Sequence, residues 1–384
     1  MPKTHFYYSN EFLTIASLPN DHPFWNIQRF ELVYRFAHFY RMFGKKIVLK
    51  VPPIAEWFDL TLFHNFQYVE ALQMASDIGM SKYGMGKFGL GTMDCPTFPG
   101  AHDLVSLIVG ATMDAVTTVM EAKDGPEYAF NYLGGLHHSQ PDHASGFCYY
   151  NDIAISIMHF RKKYPEKKIL YLDLDVHHGD AIEEAFYMNP KVMKISIHQF
   201  GEGFYPGTGQ IGRIGEGEGK GYNCNIPLPS GCTDDLYLYV FDEIVPPLWL
   251  KYNPDLVIVQ FGTDTHWRDP QAGMALTNLF YKEITHKICD LVNKTSEGRL
   301  VVLGGGGYDP VTVARSLIVI LAEMADLDLP NELPLEWREF TLEKYNIKVP
   351  LDTLLDPPLK SKKVLRSQVE EIVKEVKNHI FQPW

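Results

Sequence analysis

The stretch YLDLDVHHGD, Tyr171–Asp180, gathers three carboxylates and two imidazoles within eight residues, directly on the end of an apolar run. Successive side chains of a strand point to opposite faces, so Asp173, Asp175 and His177 are expected on one side and Leu172, Leu174 and Val176 on the other. A single carboxylate at a strand end is ordinarily solvated or capping. Three ionisable groups on one side of a buried strand are different: uncompensated buried charge is very costly, and a bound metal ion is the simplest compensation.

Three more clusters follow apolar runs. GGLHHSQPDHASGFCYYND carries His137 and His138 side by side, VIVQFGTDTH ends a run at Asp264, and VVLGGGGYDP ends one at four glycines and Tyr308. An isolated His-His pair is uninformative, and glycines before a tyrosine are commonly a tight turn. Four in a row, however, let a backbone approach a ligand closely and adopt φ above zero. GTGQIG, Gly207–Gly212, matches GxGxxG but follows FYP rather than a strand and opens no helix, so it reads as a surface loop.

The elements that must position these clusters are legible as alternation. YAFNYLGG, KILYLDLD, VMKISIHQ, DLVIVQFG and RLVVLGGGG each have the length and apolar character of a strand buried on both faces. Between them lie helix-length segments starting at Asp103, Asp152 and Val311. The pattern predicts an α/β fold, a mostly parallel central sheet flanked by helices, in which ligands gather outside the carboxyl ends of the strands. Most of the polar clusters fall at those ends. No internal repeat or Ser/Gly linker is present. From about Leu329, prolines in LPNELPLEW and LLDPPLKS and a charged segment SQVEEIVKEVKNHI predict a C-terminal extension, 329–384, packed on a catalytic domain of residues 1–328.

The 384 residues are 46% hydrophobic and 21% charged, enough for a large core. A net charge of −12 without a long Lys/Arg block argues against direct nucleic-acid binding. No uninterrupted apolar run reaches the roughly 18 residues of a membrane span, and MPKTHFYYSNEFL lacks the features of a secretory signal. A soluble cytoplasmic protein without membrane contact is expected. Cys95, Cys148, Cys224, Cys232 and Cys289 are scattered and never spaced as CxxC, which fits reduced thiols. Any metal here would therefore be held by oxygen and nitrogen.

Together the clusters GGLHHSQPDHASGFCYYND, ILYLDLDVHHGDAIEEAF, GFYPGTG and LGGGGYDP, in this order, closely resemble the histone deacetylase superfamily, particularly its acetoin-utilisation-type and class I-like members. The resemblance runs from about Tyr7 to Leu321. It implies a three-layer arginase/deacetylase-like fold and one catalytic divalent metal, Zn2+ or in the cell Fe2+, with K+ as a structural ion. By position Asp175, His177 and Asp264 match the metal ligands. His138 matches the proton shuttle and His137 its electrostatic partner, with Asp180 and Asp173 as their respective acceptors. Tyr308 matches the hydroxyl that stabilises the oxyanion.

Phe147 and Tyr205 match the aromatic walls of an acyl-lysine tunnel, with Gly146 beside them, and Asp94 matches a rim carboxylate that accepts peptide N–H groups. Arg29 matches a basic residue on an acetate exit path, one position off the usual spacing. After Asp264 the chain departs from many relatives in THWRDPQ, where His266, Trp267 and Gln271 predict a narrower, more polar pocket mouth.

The reaction implied is hydrolysis of an N-acetylated amine, acetyl-lysine in a protein or peptide foremost, by metal-activated water. The alternatives are an acetylpolyamine or other small acyl amide, a two-metal ureohydrolase in which Asp264-x-His266 offers another ligand, and a non-catalytic acyl-lysine-binding module. The pattern carries no signal for oligomeric state.

Overall fold

The computed structural model describes residues 2–14, 22–78, 85–123 and 125–380. Eight strands make one sheet: β1 (Lys3–Tyr7), β2 (Ile47–Lys50), β3 (Glu127–Asn131), β4 (Ile169–Asp173), β5 (Val192–Gln199), β6 (Asn223–Leu228), β7 (Leu256–Gln260) and β8 (Arg299–Leu303). Their order is β2-β1-β3-β8-β7-β4-β5-β6, and every neighbouring pair is parallel. All residues of β4 and β7 are buried, as strands covered by helices on both faces must be. β2, at one edge, is short and partly exposed.

The expected alternation is present, and β1, β2 and β6 are additional to it. The helix Ala101–Met120 begins two residues before the expected Asp103 and lies against β3, β8 and the helix Asp152–Lys163. It is long and apolar enough to cross a membrane, but 72% of that window is buried inside the fold, which makes it a core helix.

Strand order does most of the positioning. β3, β8, β7 and β4 are consecutive in the sheet although 172 residues separate the ends of β3 and β8 in sequence. The four segments that leave their carboxyl ends carry His137 and His138, Tyr308, Asp264, and Asp175 with His177. Helix caps then set the directions of these segments. Asn151 caps Asp152–Lys163, and Asp309 accepts the N–H groups of Val311 and Thr312 at 3.0 and 3.1 Å, so the chain turns into helix directly after Tyr308. Asp152, fully buried, accepts Leu136 N–H at 2.8 Å and Gly135 N–H at 3.1 Å, and so fixes the backbone immediately ahead of the paired histidines.

After Leu329 the chain forms the helices Leu335–Tyr345 and Lys363–Ile380. Trp337 stacks on Phe36 at 4.0 Å between ring centroids and donates to Leu32 O. Leu365, Val369, Val373, Val376 and Ile380 form the buried stripe of the last helix, at the three-to-four-residue spacing of a helix face, against β6 and the helix Asp234–Tyr252. Burying one such aliphatic side chain contributes about 1.5–3 kcal/mol.

Candidate active site

The strand β4 ends at Asp173, so strand alternation does not bring Asp175 and His177 together as the sequence predicts. Two side-chain-to-backbone turns do it instead. Asp173 Oδ1 accepts Asp175 N–H at 3.1 Å, and Asp175 Oδ1 accepts His177 N–H at 2.9 Å. The second turn brings His177 Nδ1 to 3.2 Å from Asp175 Oδ1, and it lies 3.1 Å from Asp264 Oδ2.

One ligand atom from each of Asp175, His177 and Asp264 lies within 4.8 Å of the others. Both aspartates are almost entirely out of water, at 1% and 0% exposed. Burial disfavours both as ions. At Asp175 the charges and hydrogen bonds of His137 and His177 outweigh it and hold the group well below the usual carboxylate range. At Asp264 burial and the charge of Asp175 together raise the pKa to about 6. Two carboxylates forced together out of water around one imidazole nitrogen are a donor set suited to a small divalent cation.

The glycines of the Gly304–Gly307 run are needed for close approach. A Cβ on Gly306 would lie 1.8 Å from Asp264 Oδ2. Its N–H donates to Asp175 Oδ2 at 2.7 Å, and its carbonyl accepts Thr263 N–H at 2.8 Å. Arg29, 2% exposed, donates to the carbonyls of Gly305 and Gly307. The run is thus pinned from several sides. Asp269 adds a contact that sequence reasoning missed. One carboxylate oxygen accepts Tyr308 N–H and the other Gln271 N–H, both at 2.9 Å. Its signal was an aspartate beside a proline, which elsewhere marks only a turn.

The paired histidines have separate acceptors, as expected. His137 Nδ1 lies 2.8 Å from Asp173 Oδ2, and His138 Nδ1 lies 2.8 Å from Asp180 Oδ1. Burial works against a charged His137, but Asp173 and Asp175 outweigh it and raise its pKa to about 9. For His138, burial and the charge of His137, whose ring centroid is 4.0 Å away, outweigh Asp180 and lower the pKa to about 4. Neighbouring imidazoles are therefore driven to opposite protonation states. Tyr308 is held as a neutral hydroxyl by burial and by Asp264 and Asp175.

His138, His177 and Tyr308 line a cavity of about 180 Å³, together with Gly146, Phe147 and Tyr205. Asp94 and Gln271, both exposed, complete its lining at the mouth. Gly146 and Phe147 both have positive φ, +51° and +67°, in a two-residue turn closed by two hydrogen bonds between Ser145 and Cys148. Phe147 is an unusual occupant of that conformation. Trp25 Nε1 donates to its carbonyl at 2.8 Å, and Phe24 and His22 pack on its ring. A Cβ on Gly146 would meet His138 Cδ2 at 2.6 Å and Tyr205 Oη at 2.8 Å. Tyr205 Oη is paired with Ser145 Oγ at 2.7 Å. Trp25 and Ser145 are further contributors that no local pattern flagged.

Of the three residues expected at the mouth, only Gln271 is there. His266 is 1% exposed and turned toward Asp356, and Trp267, 39% exposed, is outside the cavity lining. His266 follows the 3-10 turn Thr263–Thr265, its backbone bridges Leu276 and its side chain is held by Asp356. His266, paired with Asp356, is turned away from these ligands, and among the described residues Asp175, His177 and Asp264 form the one cluster of three or more His, Cys, Asp or Glu side chains with metal-binding spacing.

The family model described as the histone deacetylase domain matches residues 22–324. The acetoin utilization protein AcuC of Bacillus subtilis is 37% identical over 333 residues, covering 86% of this chain and 84% of that protein. Histone deacetylase 8 of Xenopus tropicalis is 32% identical over 355 residues, 92% of each chain. The crystal structure of a histone deacetylase homologue from Aquifex aeolicus superposes with a TM-score of 0.85 at 30% identity, covering 97% of this chain and all of that one. Similarity of this extent, in sequence and in structure, places the chain in the histone deacetylase family.

Proposed function

We propose that the chain hydrolyses the N-acetyl amide of acetyl-lysine in a protein or peptide, with one zinc ion held by Asp175, His177 and Asp264. The observation that carries this reading is that His138, His177 and Tyr308 line one cavity with Phe147 and Tyr205. An acyl amide inside it meets a proton-transfer group, a ligand of the metal and a hydroxyl at once, while the aromatic side chains suit an alkyl chain. The oxygen and nitrogen donor set suits Zn2+ and also Fe2+. When bound, such a metal supplies Lewis acidity toward the carbonyl and toward water.

The chain's own residues do the rest. Asp180 accepts a hydrogen bond from the Nδ1–H of His138, which leaves Nε2 as the basic nitrogen. His138 Nε2 accepts a proton from the attacking water and passes it to the leaving amine nitrogen. His137, paired with Asp173, acts as the electrostatic partner of His138 beside it. Tyr308 donates its hydroxyl hydrogen to the carbonyl oxygen as that oxygen becomes anionic. Phe147 and Tyr205 exclude water from the alkyl chain, and Asp94 at the mouth accepts N–H groups of a peptide.

Acetate release by zinc-loaded protein tests the reading. An acetyl-lysine peptide, acetylated polyamines and small acyl amides are compared at equal concentration. Preference for the peptide supports it. Preference for a polyamine would transfer the assignment to that substrate, and no release from any of them would reject hydrolysis.

A further inference from the structure

A second buried charged cluster lies behind the turn that carries Asp264. His266 Nε2 is 2.9 Å from Asp356 Oδ2, and both side chains are 0% exposed. His266 Nδ1 accepts Arg268 N–H at 3.2 Å, so Nε2 carries the proton and donates to the carboxylate. Asp356 also accepts Asn278 N–H at 3.1 Å and Arg315 Nη2 at 3.0 Å. Arg315, itself fully buried, donates further to the carbonyls of Thr353 and Leu354. The short segment 353–356 is therefore bound to the core by an ionic cluster rather than by apolar packing alone. Placing these charges out of water is costly, and hydrophobic residues of similar size often serve packing as well or better.

Its place in the chain indicates what the cluster does. Thr263 is tied to the glycine run through Gly306 O, and His266 is tied to Asp356. Between these anchors the turn Thr263–Thr265 presents Asp264. Thr265 Oγ1 adds a bond to Tyr281 Oη at 2.7 Å, and the Tyr281 ring lies parallel to His266 at 6.4 Å. Besides Tyr281 and the backbone bridge of His266 to Leu276, the turn thus has an anchor in the site and another in the C-terminal segment.

We propose that Asp356, acting through His266, is a positioning residue for the metal-binding turn, so that the segment after Leu329 helps set where Asp264 presents its carboxylate. This rests on Asp175, His177 and Asp264 being the metal ligands. Partners hydrogen-bonded to a ligand typically govern about 10- to 100-fold in metal affinity; the cluster reaches Asp264 through the backbone of the turn, so that range is its ceiling.

The test uses the full chain, with Zn2+ affinity measured by competition against a chromophoric chelator and thermal melting of the metal-free forms measured beside it. His266→Leu is expected to weaken Zn2+ binding about 10- to 100-fold. His266→Gln, whose amide can place an N–H near the position of Nε2, is expected to recover most of that loss. Asp356→Asn preserves shape while removing charge, is expected to weaken binding about 10-fold, and decides the matter alone if His266→Leu does not fold. Wild-type Zn2+ affinity in a folded His266→Leu or Asp356→Asn, even with a lowered melting temperature, would reduce the cluster to a structural role and overturn the proposal. Equal loss in His266→Gln and His266→Leu would also overturn it, because the donor would then be irrelevant. Failure of the wild-type chain to bind Zn2+ would instead overturn the ligand assignment itself, and the proposal with it.

Discussion

Replacing Gly306 by alanine adds one carbon atom at the most crowded point of the site. That Cβ would lie 1.8 Å from Asp264 Oδ2 and 3.1 Å from Asp175 Oδ2. Ordinary contact begins near 3.4 Å, so the Asp264 carboxylate must retreat by about 1.6 Å or the backbone must withdraw as far. Neither has room. Asp264 Oδ1 accepts Val176 N–H at 3.0 Å, while Gly306 is held through its N–H by Asp175 and through its carbonyl by Thr263. Metal sites tolerate ligand displacements of about 0.2 Å, far less than this. Gly306→Ala is thus expected to lose one ligand, and Zn2+ affinity should fall by more than the roughly 100-fold that marks the upper range for outer partners. Gly306 is not in the left-handed region, unlike Gly305 and Gly307, so backbone strain does not confuse the result. Elemental analysis after dialysis and chelator competition measure the loss, and circular dichroism checks the fold. Gly44→Ala is the control, since nothing lies within 4 Å of its Cβ position. A folded Gly306→Ala that keeps one zinc per chain with affinity near wild type would refute the assignment of Asp264 and the steric argument together.

Tyr308→Phe should keep its zinc, because the hydroxyl is outside the proposed donor set, yet lose about 100- to 1000-fold in kcat; steady-state kinetics with metal analysis checks both. Asp180→Asn should likewise retain metal but lower kcat by about 10²- to 10⁴-fold, because an amide can donate to Nδ1 and favour the wrong tautomer of His138; an unchanged kcat would remove Asp180 from the mechanism. Lys194, 4% exposed with its ammonium on Phe186 O at 2.5 Å, is a stability prediction. Burial depresses its pKa to about 7, with Glu183 opposing only in part. The unfolded chain therefore binds more protons between about pH 7 and 10.5, and stability should rise with pH across that window. Lys194→Met should be more stable than wild type at pH 7 by up to about 4 kcal/mol, the gap shrinking roughly by half by pH 9 in denaturant titrations; a gap independent of pH would show that the ammonium is not the cause.

The sequence discloses groups that are contiguous and leaves dark those assembled across the fold. Strands β3, β4, β5, β7 and β8 are apolar runs ending in polar clusters, so both they and the residues they carry can be read directly. β1 and β6 are harder: Thr4, Asn223 and Asn225 interrupt them as polar residues and are nevertheless buried. The two asparagines are placed there because both donate to the buried carboxylate of Glu183, a partner about forty residues away. The same separation hides Trp25, which supports Phe147 from 122 residues away, and Asp356, which meets His266 across 90. Asp175 and His177 are a subtler case. The residues were legible, but periodicity gave the wrong reason for their proximity, because hydrogen-bonded turns replace the strand after Asp173.

The place of β8 in the sheet has a consequence for the order in which the site can come into being. It is the last strand to be synthesised, yet it lies between β3 and β7 in the middle of the sheet. A chain emerging from the ribosome carries both histidines, Asp175 and His177 long before, and Asp264 35 residues before, the strand that must wedge between β3 and β7. Until β8 arrives, β3 and β7 lack their common neighbour, and the loops they carry have no fixed separation. The pairing of β3 with β8 also closes a very long stretch of chain, the kind of contact that forms late and slowly. Metal affinity should thus appear abruptly with chain length, only after Tyr308 has cleared the exit tunnel, and a nascent chain arrested before β8 should show strand-rich structure without a metal site.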